Sequence, residues 1–411
     1  MKTRVLKAGF AVSALALAVS PAIATELRFD GFASFVAGQV LDKDELLVDP
    51  QTGDTVPFRG YDERLSFQPN SLFALQVRAD LQEKLSATAQ IIAKGQDDYE
   101  AKFNWAYLAY QLTNELTVKA GRFRTPLFLY SDFLDVGYAY HWISPPDGVY
   151  NLSGFDSSDG VMLEWQTEFS GFVSTATVAT ARTTADIDGG TLDSVNGLTA
   201  TWNLNYDWFT FHIAHSEADI TIDNPQINQL AAGLAQTTLV SQNAIDNMLF
   251  DSDKGTFDGV GISVDTGRVF AVAEYTETAS EDTFSADPTQ NWYVSGGARF
   301  SKLTAYLTYE HKEGDLQEDA LTEITSRLDP AIAALQAGLP ATAEQYAQLA
   351  GLRGGVAQIF AQSETDTDTY SVGLRYDFHP SAAMKFEYIQ QDDKINEVEP
   401  AAVAVAIDLV Y

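Results

Sequence analysis

The most constraining feature of this chain is an alternation of apolar and polar residues that recurs along most of its length. In the stretch 370–378, large apolar side chains occupy every second position, with small or charged residues between them. The stretches 71–81, 85–94 and 291–300 show the same period. Because successive side chains of a strand point to opposite faces, this alternation is typical of strands with one apolar face. The chain is therefore predicted to be all-β.

The spacing of these strands decides between two all-β architectures. The predicted strands are 26–40, 71–81, 85–94, 102–112, 115–122, 159–166, 170–183, 195–206, 208–218, 257–266, 268–278, 289–300, 302–312, 366–378, 381–392 and 400–411. Short turns follow the even-numbered strands and longer links follow the odd-numbered ones. A soluble sandwich gives no reason for this asymmetry, whereas an outer-membrane barrel has short periplasmic turns and long outer loops. We therefore predict a 16-stranded antiparallel transmembrane β-barrel.

The first 24 residues are predicted to be a cleaved signal peptide. Lys2, Arg4 and Lys7 flank or precede the apolar run 8–19, and Ala22-Ile23-Ala24 fits a cleavage site. The barrel is assigned to residues 25–411. No later stretch is long and apolar enough for a membrane-spanning helix, and the chain contains no Cys. These features predict export to the outer membrane of a Gram-negative bacterium.

The charge of the chain excludes several classes of partner. It contains 57 acidic residues and 25 Lys and Arg, so its formal net charge is −32. Nucleic-acid binding requires basic residues that displace counterions, so no nucleic-acid partner is expected. A pore lined for phosphate or other multivalent anions is disfavoured for the same reason.

The stretch Phe123–Ser158 fits neither a strand nor a helix. It contains nine aromatic residues and four acidic residues, with Arg124 as its one Lys or Arg. Pro126 and the pair Pro145-Pro146 interrupt regular structure. A solvated loop rarely exposes so many large rings, because their exposure to water is unfavourable. The stretch is therefore predicted to fold into the lumen of the barrel and narrow it.

The organisation of the chain resembles that of sixteen-stranded Gram-negative porins. The local likeness is strongest in 26–39, in Leu116–Pro126 (LTVKAGRFRTP) and in the last strand, which ends in Tyr411. The resemblance places an inward-folded loop between the fifth and sixth strands, where the aromatic stretch lies. It also implies a homotrimer, contact with outer-membrane lipid and lipopolysaccharide, and recognition of the Tyr411 strand by the barrel-assembly machinery. The second outer link, 95–101, is shorter than the one that often contacts a neighbouring subunit in such porins.

In general porins, basic residues on the wall face acidic residues on the inward loop across the narrowest point, and the resemblance implies the same arrangement here. Bases near the lumen on the early strands, or where the fifth strand ends, are Arg78, Lys94, Lys119, Arg122 and Arg124. Acidic residues expected opposite them are Asp132, Asp135 and Asp147. The alternative is that these are ordinary solvated charges at a barrel rim.

The aromatic residues of the same stretch admit two interpretations. Phe128, Phe133 and Phe155 can attach the loop to the wall as a small apolar core. In the second interpretation, Tyr138, Tyr140 and Trp142 form a path on which sugars or other ring-bearing solutes stack. No motif in the sequence decides between them.

Two long outer insertions, 219–256 and 313–365, carry short helical patterns, and we expect helices above the outer mouth. The run Asp251–Gly255 is similar to the start of a calcium loop, but the ligand pattern breaks at Gly255 and no Glu closes it. No specific metal site and no cofactor are expected.

Catalysis is not expected, since the five His residues show no metal-binding spacing and no nucleophile with a partner base can be named. The predicted function is passive diffusion of small hydrophilic solutes and ions, with weak cation preference. Two other hypotheses remain open: a substrate-specific channel for sugars or small organic acids, and a closed structural or adhesive barrel.

Overall fold

A computed structural model describes residues 26–48, 53–150, 152, 154–155, 157–187, 189–280, 288–315, 318–337, 343–361 and 364–411. The predicted signal peptide, residues 1–24, lies outside these ranges. The described residues form sixteen strands: β1 Glu26–Val40, β2 Leu72–Gln82, β3 Leu85–Lys94, β4 Ala101–Gln111, β5 Leu116–Phe123, β6 Ser158–Phe169, β7 Phe172–Ile187, β8 Gly190–Tyr206, β9 Phe209–Asp223, β10 Asp251–Asp265, β11 Val269–Ser280, β12 Thr289–Phe300, β13 Leu303–Gly314, β14 Thr365–His379, β15 Ala382–Asp393 and β16 Ala401–Val410.

Each strand pairs antiparallel with its neighbours in sequence, and β1 pairs with β16, so the sheet closes into a barrel. The predicted fold is thereby confirmed. Strands β8, β9 and β10 extend several residues further than predicted at their outer ends. The extension of β10 (251–256) contains no large apolar residue and so carries no alternation that a sequence pattern could reveal, whereas the extension of β9 continues the alternation through Ile220 and Ile222. The run Asp251–Gly255 lies in one of these extensions, within β10.

The two faces of the barrel differ in chemistry. On β6, Val161, Leu163 and Trp165 point outward and are 41–48% exposed, and Met162 and Glu164 between them face the lumen. Large apolar side chains in this pattern would be unfavourable in water but are stable against lipid acyl chains. Among the helices that the structure describes, none has the length and hydrophobicity of a membrane-spanning helix.

The barrel closes at the last residue of the chain. The backbone N–H of Tyr411 donates to the carbonyl of Gly31 (3.0 Å), and the N–H of Gly31 donates to the carbonyl of Tyr411 (2.9 Å). The ring of Tyr411 lies directly over Gly31, where a Cβ atom would come within 2.3 Å of it. A side chain at position 31 would therefore have to displace the ring of Tyr411.

Helices occur in the long outer links. Helices α2 Pro225–Thr237 and α3 Gln242–Asp246 follow β9, and α4 Glu318–Gln336 and α5 Ala343–Ala361 follow β13; α1, Asp147–Tyr150, lies between β5 and β6. Helices α2–α5 form an outer helical cap with its own apolar core, which includes Leu234, Ile324, Leu328 and Val356. The expected helices are present and longer than their sequence patterns indicated.

Candidate functional site: a lumen narrowed from two outer links

The link between β5 and β6, residues 124–157, folds into the barrel and is called the inward segment below. Its described residues reach three sides of the wall. The Leu127 carbonyl oxygen lies 3.0 Å from His212 Nε2 on β9, and the Gly137 carbonyl accepts from Lys385 Nζ on β15 (2.6 Å). The N–H of Gly148 donates to Glu310 on β13 (3.2 Å). The segment therefore crosses the lumen rather than lining one side of it.

Aromatic packing joins the inward segment to strands β10–β13. Phe128, Tyr140 and Trp142 are buried in one cluster with wall residues that include Tyr293 and Tyr306. Phe133 and Phe155 pack at the edge of this cluster. Trp142 is 1% exposed, and its Nε1 donates to Thr308 Oγ1 (2.8 Å). Burial of each large ring contributes roughly 1.5–3 kcal/mol, so this cluster is a major source of the segment's stability.

Buried ionisable side chains of the wall bind the backbone of the segment. Glu274 on β11 accepts from the N–H of Leu129 (2.8 Å) and from the hydroxyl of Tyr150. Lys385 donates to the carbonyls of Gly137 and Trp142 and pairs with Asp408 on β16 (2.8 Å). Irregular backbone inside a barrel needs such partners, because the inward segment has no strand neighbour to satisfy its polar groups.

Three of the predicted site residues meet in one buried cluster. Lys94 Nζ lies 3.0 Å from Asp135 Oδ1, Arg124 contacts the other carboxylate oxygen, and Asn104 Nδ2 donates to it (3.1 Å). Burial acts to raise the pKa of the Asp135 carboxyl, but Arg124 and Lys94 outweigh it and hold this pKa well below its usual range. These charges bind each other directly instead of facing one another across an open gap.

Arg78 and Lys119 lie in a separate polar cavity of about 730 Å³ that opens toward the short turns. Lys119 pairs with Glu164 (2.9 Å), and Arg78 pairs with Asp80 (3.2 Å). The exposed side chain of Asp132 is near enough to Lys119 to interact with it electrostatically. Carboxylates of the wall thus pair with both wall bases, and the loop acid Asp132 acts on Lys119 only through the electrostatic field.

Arg122 faces outward, which corrects its predicted place at the constriction. It pairs with Asp159, its direct neighbour across the β5–β6 ladder, at 2.7 Å. Because Lys119 faces the lumen and a strand alternates, a residue three positions further on must face the other way. Asp147 is exposed near the outer mouth, in a cavity that Lys94 also lines.

The proposed stacking path is not formed by its three residues. Tyr140 and Trp142 are buried in the aromatic cluster. Tyr138 is half-buried, with the Arg375 guanidinium 4.7 Å from its ring centre and its hydroxyl bound to the Pro380 carbonyl (2.8 Å). Protein covers the rings of Tyr140 and Trp142, and Tyr138 is held by Arg375 and Pro380. All three therefore attach the segment to the wall alongside Phe128, Phe133 and Phe155.

Comparison with known proteins agrees with this geometry. The sequence profile of the family described as Gram-negative porin matches residues 10–396 of the chain. The chain belongs to the Gram-negative porin family. It is accordingly an outer-membrane channel of a Gram-negative bacterium. A search of curated protein sequences finds no significant match.

Solved porin structures share the fold at low sequence identity. The outer-membrane channel DcaP of Acinetobacter baumannii aligns with a TM-score of 0.58 at 12% identity, covering 94% of this chain and 97% of that one. OmpF of Salmonella typhi, solved with daunomycin, gives 0.54 at 14% identity and the same coverages. An anion-selective porin from Comamonas acidovorans gives 0.51 at 12% identity, covering 94% and 100%. Likeness at this level establishes the barrel fold.

The porin's first outer link, described at residues 41–48 and 53–71, also folds inward, which the sequence did not predict. Phe58 and Tyr61 are buried against Ile143 of the inward segment. Both terminal carboxylate oxygens of Glu310 on β13 accept from Arg59 Nη2 at 2.9 Å. Burial acts to lower the pKa of the Arg59 guanidinium, but Glu310 outweighs it and raises this pKa above its ordinary value. In the sequence, the feature that could have drawn attention to this link is the base Arg59, flanked by the aromatic residues Phe58 and Tyr61.

Histidines do not form a metal centre in the part of the chain that the structure describes, where no group of three or more His, Asp or Glu is arranged to hold an ion. His212 faces the lumen beside Leu127, whereas His215 faces outward and lies 2.8 Å from Asp258. The two rings therefore lie on opposite faces of β9, because three positions separate them on an alternating strand.

Proposed function

We propose that this porin passes small hydrophilic solutes and ions by diffusion, with weak preference for cations. The observation that supports this most directly is the polar cavity of about 730 Å³ on the lumen side of β2–β6. Its charged side chains, Arg78, Asp80, Lys119 and Glu164, can exchange hydrogen bonds with a passing hydrated solute.

The cation preference follows from the balance of charge around this cavity. Both wall bases have a carboxylate partner, so their positive charges are largely offset. The exposed carboxylate of Asp132 then adds negative charge beside the path. In a confined lumen such a charge raises the local concentration of cations.

Single-channel recording in a planar bilayer with a salt gradient tests both statements. Ohmic steps with a reversal potential displaced toward that of the cation would support the proposal. Asp132→Asn is expected to move the reversal potential toward zero, whereas Asp258→Asn, on the outward face, should leave it unchanged. Anion preference of the unaltered protein, or equal behaviour of the two variants, would contradict the assigned role of Asp132.

A substrate-specific channel is the second candidate, because two links narrow this lumen. The Arg59–Glu310 pair and the part of the inward segment around Ile143 together occupy the side of the barrel near β1 and β13–β16. Small currents blocked by one sugar or organic acid would favour this candidate. Folded protein that shows no conductance at all would instead favour a closed structural barrel.

We further propose a homotrimer that associates through the outward face of β2–β5. Small side chains there, among them Ala79, Ala89 and Ala106, leave a shallow depression of about 390 Å³. Small residues allow close approach of neighbouring apolar surfaces in lipid. Ala89→Trp is expected to reduce chemical cross-linking to trimers, and Val178→Trp, on another outward face, is the matched control. Equal cross-linking in both variants would count against this interface.

The remaining outward surface is proposed to contact lipid. The outer rim of this surface is proposed to contact lipopolysaccharide. Trp292, Tyr309 and Tyr370 form a row of ring contacts of 5.0–5.2 Å near the outer strand ends, where amphipathic rings favour the headgroup level. Native mass spectrometry should detect retained lipopolysaccharide; its absence after extraction in mild detergent would argue against the contact.

The last strand is proposed to be the segment that the barrel-assembly machinery recognises. Tyr411 is 60% exposed although its backbone completes the seam. Tyr411→Ser should lower the amount of protein inserted in the outer membrane of expressing cells more than Tyr376→Ser does. Equal insertion of the two variants would contradict this role.

A further inference from the structure

A second cavity in the lumen differs from the polar one in its lining. It measures about 220 Å³ and lies at the outer ends of β9–β12, between the inward segment and the wall. Its large apolar lining residues are Leu127, Leu152, Phe155, Ile220, Phe250 and Phe257. Ala218 and Ala279 also line it, and its one charged lining residue, Glu217, is paired with Lys254 (2.8 Å). The large apolar residues come from the inward segment, from two strands and from the link that carries α2 and α3.

An open apolar hollow in a water-filled lumen is unusual. Apolar surface that faces water is unfavourable by roughly 25 cal/mol for each Å², so a guest that covers it is stabilised. Ligand sites are commonly hollows of this kind, apolar with a few polar groups that fix orientation. Here Ser216, Thr278 and Thr289 supply hydroxyl groups among the lining residues.

The wall of this cavity ends a continuous series of aromatic contacts. Ring centres of Tyr293 and Tyr150 lie 6.2 Å apart, those of Tyr150 and Phe128 5.0 Å, and those of Phe128 and Phe257 5.3 Å at an angle of 86°. Phe257 is both the last ring of this series and part of the cavity lining. A guest ring can extend the series with a further edge-to-face or offset contact.

Volume and charge define the class of guest. An engineered apolar cavity of about 150 Å³ binds benzene, so about 220 Å³ admits one six-membered ring with a small substituent. The strong net negative charge of the chain disfavours an anionic guest. We propose that this cavity is a binding site for neutral monocyclic aromatic solutes in the outer half of the lumen.

Saturation-transfer NMR on the full-length protein in detergent micelles tests the proposal with benzamide as the probe. Protein-free micelles give the blank, acetamide tests whether the ring is needed, and benzoate tests the effect of negative charge. Benzamide should bind saturably, acetamide should give no signal above the blank, and benzoate should bind more weakly. Equal signals from benzamide and acetamide would overturn the site, and benzoate binding as tight as benzamide would overturn its preference for neutral solutes.

Two substitutions of equal size locate the site. Ala218→Leu fills the cavity from β9 and should weaken benzamide binding about tenfold or more, because a pocket filled by extra methyl groups rejects its ligand. Ala109→Leu adds the same volume to the polar cavity and should leave benzamide binding unchanged. Unaltered binding in Ala218→Leu overturns the assignment.

A folding defect must be separated from a loss of binding. If Ala218→Leu lacks the far-UV circular dichroism of the barrel, Phe257→Leu replaces it, since this change removes the terminal ring and keeps an apolar lining. Its affinity for benzamide should fall, and an unchanged affinity would again overturn the proposal. Equilibrium binding needs no open channel, so these outcomes are independent of the conductance of the porin.

Discussion

The inward segment and the outer helical cap are both long insertions at the outer end of the barrel, but they are stabilised differently. The inward segment is rich in aromatic rings, and side chains of the wall bind its backbone directly. The cap has its own apolar core, which is mainly aliphatic and includes Leu234 and Val356, with Phe360 as its one buried aromatic ring. We infer that the barrel and the inward segment form one cooperative unit, whereas the cap is separable from both.

The largest effect is expected from Lys385→Met. Lys385 and Asp408 are 0% and 1% exposed, so the substitution leaves a buried carboxylate without its cation. Breaking such a pair typically costs about 3–5 kcal/mol, and the carbonyls of Gly137 and Trp142 also lose their donor. Denaturant unfolding should show this loss of stability, and single-channel recording should show an altered conductance.

The control is Lys394→Met, whose partly exposed ion pairs with Asp366 and Asp368 should contribute no more than about 1 kcal/mol. Similar losses of stability in the two variants would contradict the inference that the barrel and the inward segment form one cooperative unit.

The comparison becomes sharper when one buried side chain is removed from each region. Trp142→Ala and Leu328→Ala should each destabilise their own core by roughly 2–5 kcal/mol. Only Trp142→Ala should change the single-channel conductance. Leu328→Ala should reduce the helical circular dichroism signal and leave the conductance unchanged. If Leu328→Ala also altered conductance, the cap would not be separable.

Low pH should reduce the stability of the inward segment, because it protonates the Asp135 carboxylate. Since Arg124 and Lys94 hold its pKa below the value of about 3.9 that an unfolded Asp has, the folded state binds its proton less readily. The resulting stability is present above about pH 4 and is lost as the pH falls through the depressed pKa. Denaturant unfolding between pH 6 and pH 2 should show this loss, and the decline below pH 4 should be smaller in Asp135→Asn. An identical decline in both proteins would refute the role of this carboxylate.

The smallest effect is expected from removing half of the cap. Replacement of residues 315–364 by a short Gly-Ser link should leave barrel circular dichroism and single-channel conductance unchanged, because the wall side chains that hold the inward segment remain. A changed conductance would show that the cap contributes to the path.

Alternation made the barrel predictable, because every strand that faces lipid must repeat with period two. The same alternation also indicates that Arg122 faces outward. Arg122 was assigned to the constriction because it lies close to the aromatic stretch in sequence, and the face of its strand was not considered. A register shift between Gln90 and Ile91 of β3 changes the pairing with β4 near Asn104, and no sequence pattern indicates it. The first outer link was missed for another reason. Its inward fold depends on Glu310 and Ile143, which are far away in sequence, so the local pattern of two rings flanking Arg59 does not by itself indicate which way the link folds.

The seam between β1 and β16 has a consequence for the order of assembly. Asp408, which fixes Lys385, accepts a hydrogen bond from Ser34 on β1 (2.6 Å), so three strands around the seam meet where Gly137 of the inward segment is bound. The two ends of the chain must both be present before this contact can form. An unclosed barrel would therefore lack part of the attachment that narrows it, and the pore would reach its final width only when the seam closes.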